Sequence, residues 1–231
     1  VAAKPRPVPV PVAASPAGDI SRRRVPAARR GVDVDPLDAK TVKLLDLQNV
    51  VLEQLRERLE LDNMPVEQLG DEALWQRAER AVAELVTGLE SGGELPKYIE
   101  RDTLVKEALN EALGLGPLED LLADATIDEI IVDRRDRVII GKAGALRGSG
   151  KGFSSDDVLR RVIERLVAPS GQRLDDTRPV VDARLRDGSR LTAAIAPVAA
   201  HGACLALKKP RSSAATISDL ATSGAMSSAM A

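Results

Sequence analysis

The stretch VVDARLRDGSRLTAAIAP, residues 180–197, constrains the fold more than any other part of the chain. Apolar and polar residues alternate on both sides of Asp187-Gly188, and a period of two marks a strand with one buried face. Val181, Ala183 and Leu185 point one way, and Asp182, Arg184 and Arg186 the other. On the return, Leu191, Ala193 and Ile195 oppose Arg190 and Thr192. Asp-Gly is a preferred two-residue hairpin turn, so the two runs are expected to pair through it. ACLALKKP, residues 203–210, adds a strand with Leu205 and Leu207 inward and Lys208 on the side of Cys204 and Ala206. One sheet face is therefore apolar, and the other carries Asp182, Arg184, Arg190, Thr192 and Lys208.

The sequence before the sheet segments reads as helices. Leu44, Leu47, Val51, Leu55 and Leu59 recur at helical spacing, as do Leu74, Ala78, Ala81, Val82, Leu85 and Leu89. Pro65 and Gly70 separate these runs, and SGGELP at 91–96 ends the second. Val105, Ala108, Leu109 and Ala112 form a third stripe. The spacing predicts a helical bundle over 37–113. From 114 the pattern changes. TIDEIIVD and RVIIGK are rich in Ile and Val, and the RRD between them predicts a hairpin. Ser154 or Ser155 can cap a helix with Asp157 in its first turn and Val158, Leu159, Val162, Ile163 and Leu166 on its buried face. Strands, helix, strands over 114–211 give an α+β domain: an antiparallel sheet with helices on one face. Residues 1–36, which begin VAAKPRPVPVPVAASPAG, are proline-rich and read as a disordered tail. Within 1–31, Lys4, Arg6, Arg22, Arg23, Arg24, Arg29 and Arg30 face only Asp19, against a net charge of −2 for the whole chain. Residues 212–231 are small and polar and read as a linker.

Much chemistry is absent from the sequence. GALRGSGKGF, residues 144–153, imitates a phosphate loop, but G-x-x-x-x-G-K-[ST] needs a glycine where Ala145 stands and a hydroxyl where Gly152 stands. It reads instead as a hairpin arm closed by Phe153. His201 has only Cys204 nearby as a soft partner, too few for a metal site. No G-x-S-x-G elbow occurs, and the pairs Asp156-Asp157 and Asp175-Asp176 fall in a cap and a loop. No residue set is therefore expected to make a self-contained catalytic or metal site. Trp75, Tyr98 and Phe153 are the only aromatics, which argues against stacking on nucleic acid. One cysteine excludes an internal disulfide, and no apolar run approaches the length of a membrane span.

Three blocks carry a family resemblance: ALGLGPLEDLLADATIDEIIVD (112–133), RPVVDARLRDGSRLTAAIAP (178–197) and LALKKP (205–210). In this order they resemble the N-terminal half of the type II/type IV secretion traffic ATPases, nearest the CpaF-like motors of Tad pilus assembly. The resemblance implies a PAS-like N-terminal domain over a RecA-like ATPase core that these residues do not include. It implies ATP and Mg²⁺ as cofactors of the full motor, with none bound by this chain alone. It also implies a homo-hexamer at the cytoplasmic face of the inner membrane, working with membrane platform proteins. Arg190, after D-G-S, and Lys208, at the end of the last strand, match two basic residues that reach toward nucleotide phosphate. Lys208 stands where the family commonly has arginine; Asp133 and Thr192 stand where it commonly has asparagine. The expectation is a motor's N-terminal module, a fragment or a natural remnant, inactive alone as an ATPase. The other reading of the same residues is a stand-alone, non-catalytic interaction module of a secretion or regulatory system.

Overall fold

The computed structural model describes residues 34–210; residues 1–33 of the tail expected over 1–36, and the linker expected at 212–231, lie outside them. The three predicted helices form α1 (Ala39–Leu59), α2 (Glu72–Ser91) and α3 (Arg101–Leu113). Each boundary has a chemical cause. The Asp38 carboxylate caps α1 by accepting from the Thr41 amide at 2.7 Å, and Asp71 caps α2 through the Ala73 amide at 3.1 Å. α3 stops at Gly114, where a Cβ would stand 1.9 Å from Glu119 Oε1. That carboxylate accepts from the Leu115 amide at 2.9 Å, so a side chain at 114 would displace it. Between α1 and α2 run two 3₁₀ turns, Leu61–Asn63 and Val66–Gln68, which the sequence pattern does not resolve.

After α4 (Leu118–Ala123) come β1 (Glu129–Arg134), β2 (Arg137–Lys142) and β3 (Ala145–Gly148). α5 (Asp156–Val167) is next, then β4 (Val180–Arg184), β5 (Arg190–Ala194) and β6 (Cys204–Lys208). Ser155 is the residue that caps α5, accepting from the Val158 amide at 3.2 Å, with Asp156 and Asp157 in the first turn. The strands make one antiparallel sheet in the order β3-β2-β1-β6-β5-β4. The fold is therefore α+β, with helices first and an antiparallel sheet after them.

Register lines up the inner face in rows. Val181, Ala193, Leu205, Val132 and Val138 are successive cross-strand partners, as are Ala183, Leu191, Leu207, Ile130 and Ile140. All are buried, and they join the stripes of α1, α2, α3 and α5 in one core. Each fully buried Leu, Ile or Val contributes about 1.5–3 kcal/mol relative to exposure, so these rows fix the sheet against the helices. The outer face is polar over β4–β6, where Thr192, Asp182, Arg184, Arg190 and Lys208 are all exposed, and apolar at Ile131 and Ile139 of β1 and β2.

The β4–β5 hairpin corrects one expectation. The connection is a three-residue loop, Arg186-Asp187-Gly188, not a two-residue turn. Leu185 and Ser189 are bonded across it (N to O, 2.8 Å), and Gly188 takes φ +84°. Asp187 makes this geometry: its carboxylate accepts from the Ser189 amide at 2.9 Å and from the Ser189 hydroxyl at 2.7 Å. The parity of the pattern already requires it. Inward residues are odd-numbered on both strands, and a two-residue turn at 187–188 would pair odd with even.

Candidate functional site

The outer face of β4, β5 and β6 brings the two predicted basic residues together. Arg190 and Lys208 are direct cross-strand partners, and Arg184 is Arg190's partner on the other side. Three cations thus stand in one row across adjacent strands, which are spaced about 4.8 Å apart. Like charges directly opposite each other oppose pairing. A row of three is a local conflict between stability and something else. Alternation in the sequence puts Arg184 on the cationic face; the register of the three-residue loop puts it beside Arg190.

The three cations are not equivalent. The Arg190 guanidinium grips Asp182 in two places, Nε to Oδ1 at 3.0 Å and a terminal nitrogen to Oδ2 at 2.6 Å. The pair lies in the open, with side chains 66% and 48% exposed. The guanidinium holds the Asp182 carboxyl below its ordinary pKa, and Asp182 raises that of Arg190. Asp182 sits opposite Thr192, one diagonal step from Arg190, so the sheet itself sets this geometry. Lys208 and Arg184 are exposed and have no hydrogen bond or ion pair among the described residues. Glu129 is the next residue in the row beyond Lys208.

Lys208 is presented by an anchored neighbour. The Lys209 ammonium turns the other way and donates to three carbonyls at the end of α4: Leu121 at 2.9 Å, Leu122 at 2.6 Å and Asp124 at 2.8 Å. These are the carbonyls a helix end leaves without partners. Burial holds the Lys209 ammonium below its ordinary pKa. The backbone adds a further tie, Lys209 N–H to the Asp128 carbonyl at 2.9 Å.

The imitation of a phosphate loop folds as an arm. Ala143 and Gly144 turn the chain at φ 49° and 83°, and β3 pairs back on β2. Lys151 is tied to Asp120. Val34 packs at this edge: a Cβ on Gly148 would meet it at 2.8 Å, so Val34 lies against the sheet rim. His201 lies exposed in a turn, and Asp175 closes a local turn on Thr177 and Arg178.

A second set of charges lies in the helical layer, and no local sequence pattern announces it. Glu111 of α3 is buried and accepts from the Ser154 amide at 3.0 Å and from the Ser154 hydroxyl. Burial pushes its pKa up to about 7. Arg165 of α5 donates to the carbonyls of Gly114 and, at 2.9 Å, Glu111, capping the C-terminal end of α3. Burial lowers its pKa to about 10.

No family model matches the chain. In each of two strains of Mycobacterium tuberculosis, a protein named "Putative conjugal transfer protein" is 38% identical to it over 128 residues, which is 52% of this chain and 36% of the relative. The match therefore spans only about a third of the length of these curated relatives. Among solved structures, the VirB11 ATPase from the Brucella suis type IV secretion system, in complex with sulphate, is similar at a TM-score of 0.42. It is 26% identical, over 48% of this chain and 34% of that one. The α+β fold itself rests on the strand order and register of this chain.

Proposed function

We propose that this chain is the N-terminal module of a motor ATPase of the type II/type IV secretion and conjugation kind, nearest the Tad pilus motors. In this reading Arg190 and Lys208, with Arg184 beside them, present positive charge to a nucleotide phosphate whose main cradle lies in a separate ATPase core. The observation that carries the reading is the row of three cations. Opposed like charges cost stability, and a site for anionic oxygen would offset that cost. Support also comes from the three ordered sequence blocks and from the relatives whose printed name refers to conjugal transfer.

The residues fit part of what ATP and Mg²⁺ require. Lys208 offers an uncommitted ammonium to phosphate oxygen. Arg190 would have to share its fork with Asp182 or release it, and Asp182 would then act as the latch that holds the arginine until an anion competes. Lys151 is committed to Asp120, so the glycine-rich arm does not supply the cradle. When bound, the nucleotide would bring the hydrolysable phosphoanhydride; this chain's residues would sense its charge and close the sheet over it. Assembly as a ring hexamer at the cytoplasmic face of the inner membrane belongs to the same proposal. Among the described residues no helix is long and apolar enough to cross a membrane.

A stand-alone interaction module is the second reading, and the closed Arg190–Asp182 pair favours it, because a guanidinium already matched needs no phosphate. Two observations separate them. The coding DNA beyond Ala231 would continue into a G-x-x-x-x-G-K-[ST] loop for a motor and into a stop codon for a module. The purified 231-residue chain is expected not to hydrolyse ATP; turnover by it, free of contaminating ATPases, would refute the assignment of catalysis to a separate core.

A further inference from the structure

A cavity of about 120 Å³ opens among α1, the two 3₁₀ turns, α3 and α5. That is room for several waters and so for a small molecule. Its charged lining is Arg56, Asp62, Arg161, Arg165, Glu111 and Glu164. The rest is apolar, with Leu52, Val66 and Val158 among the walls.

Three guanidiniums face three carboxylates, and each carboxylate is already committed. Asp62 is shared: its Oδ1 accepts from Arg56 Nε at 2.9 Å and from a terminal nitrogen of Arg161 at 2.9 Å, and its Oδ2 from Arg56 at 3.3 Å. One carboxylate thus serves two guanidiniums, and their pull holds its pKa below the ordinary value. Glu164 is committed to Arg160 at 3.1 Å. Among the described residues Arg165 has no carboxylate partner, and it donates to two carbonyls. Glu111 is committed to the Ser154 amide and hydroxyl. A guanidinium carries five donors. Arg161 gives one to Asp62, and its side chain is only 33% exposed; Arg56 gives two and is 21% exposed.

Cations drawn out of water with donors to spare, around a cavity with apolar walls, define a ligand chemistry. We propose that this cavity binds a small organic oxyanion, a carboxylate or phosphate head on a short apolar body, with Arg56 and Arg161 gripping the head. Asp62 holds the two forks in place when the cavity is empty and shares them when it is filled. The site lies in the helical layer, distinct from the cationic row on the sheet's outer face, and does not depend on the motor reading.

The test is a side-chain NMR titration of the full 231-residue chain at pH 7, with ionic strength held constant by NaCl. Inorganic phosphate is one probe and hexanoate the other. The arginine Nε–Hε signals of Arg56 and Arg161 are expected to shift along a single saturating curve with at least one probe. Saturation by hexanoate alone identifies a carboxylate head, and saturation by phosphate identifies a phosphoryl head. Arg161→Gln is expected to weaken that binding tenfold or more, while Arg77→Gln, on the exposed face of α2, leaves it within twofold. Should Arg161→Gln fail to fold, Arg56→Lys keeps the charge and removes the fork, and is expected to weaken binding as well. Linear, non-saturating shifts with both probes would overturn the proposal. So would saturable binding that the cavity variants leave intact.

Discussion

On the outer face of β4–β6, Arg184, Arg190 and Lys208 stand in a row in open water, with Asp182 beside Arg190 and Glu129 beyond Lys208; in the helical layer, Glu111 is buried and Arg165 half-buried, and each is tied to backbone outside its own helix. The two regions use the same kinds of side chain for different ends. Buried charges without their partners cost several kcal/mol, so Glu111 and Arg165 hold α3, α5 and the chain before α5 in register. Exposed like charges cost less than buried unpaired ones, about 1 kcal/mol or less per opposed pair, so the outer row can be arranged for a ligand at a modest loss of stability. Removing a charge should therefore loosen the molecule in one region and leave it intact, or tighten it, in the other.

The largest expected effect is at Glu111. Its folded pKa is raised to about 7 from the ordinary 4.5, so the fold binds its proton more tightly than the unfolded chain does. The stability this contributes is present below the unfolded pKa and is lost as pH rises through the folded one. Denaturant unfolding between pH 5 and pH 8 should show a loss on the order of 3 kcal/mol in the parent, much of it removed in Glu111→Gln, which keeps the size and an acceptor for the Ser154 amide. A parallel pH dependence in the two proteins would mean that Glu111 is solvated and that the contrast between the regions is false.

Next is Lys209→Met, which leaves three carbonyls at the end of α4 without their donor. Stability is expected to fall by about 2 kcal/mol in the same assay, as for hydrogen bonds to a charged group. An unchanged midpoint would mean that Lys208 stands on an unanchored strand end. The smallest effect has the opposite sign. Replacing Arg184 with Thr removes a like-charge contact with Arg190 and installs a good strand former, so the melting temperature should rise by about 1–3 °C. A drop would show that the row is stabilising as it stands.

The two regions are unequally legible in the sequence. Alternation in 180–197 is enough to sort Leu191 from Arg190 and to predict both sheet faces, because burial follows a period of two whatever the neighbours are. The same parity encodes the three-residue loop, although the Asp187-Gly188 pair by itself points to the shorter turn. The helical stripes through Leu55, Val82 and Ala108 are legible for a like reason. Glu111 is not. Nothing next to it in the sequence marks a carboxylate as buried, since its partner Ser154 lies 43 residues away. Arg165, 54 residues from the Glu111 carbonyl, is hidden in the same way. Long-range satisfaction of a buried charge leaves no local pattern, whereas an exposed row on paired strands does.

The central claim is that the outer row meets nucleotide phosphate, and the most direct measurement is made on the intact protein that the gene encodes. ATP binding and steady-state hydrolysis would be compared for the parent, Lys208→Ala and Arg190→Ala. The account predicts that kcat falls tenfold or more in each variant while the Kd for ATP changes by no more than about threefold, the mark of contacts made chiefly in the transition state. Equal losses in binding and turnover, or no loss in either, would contradict it.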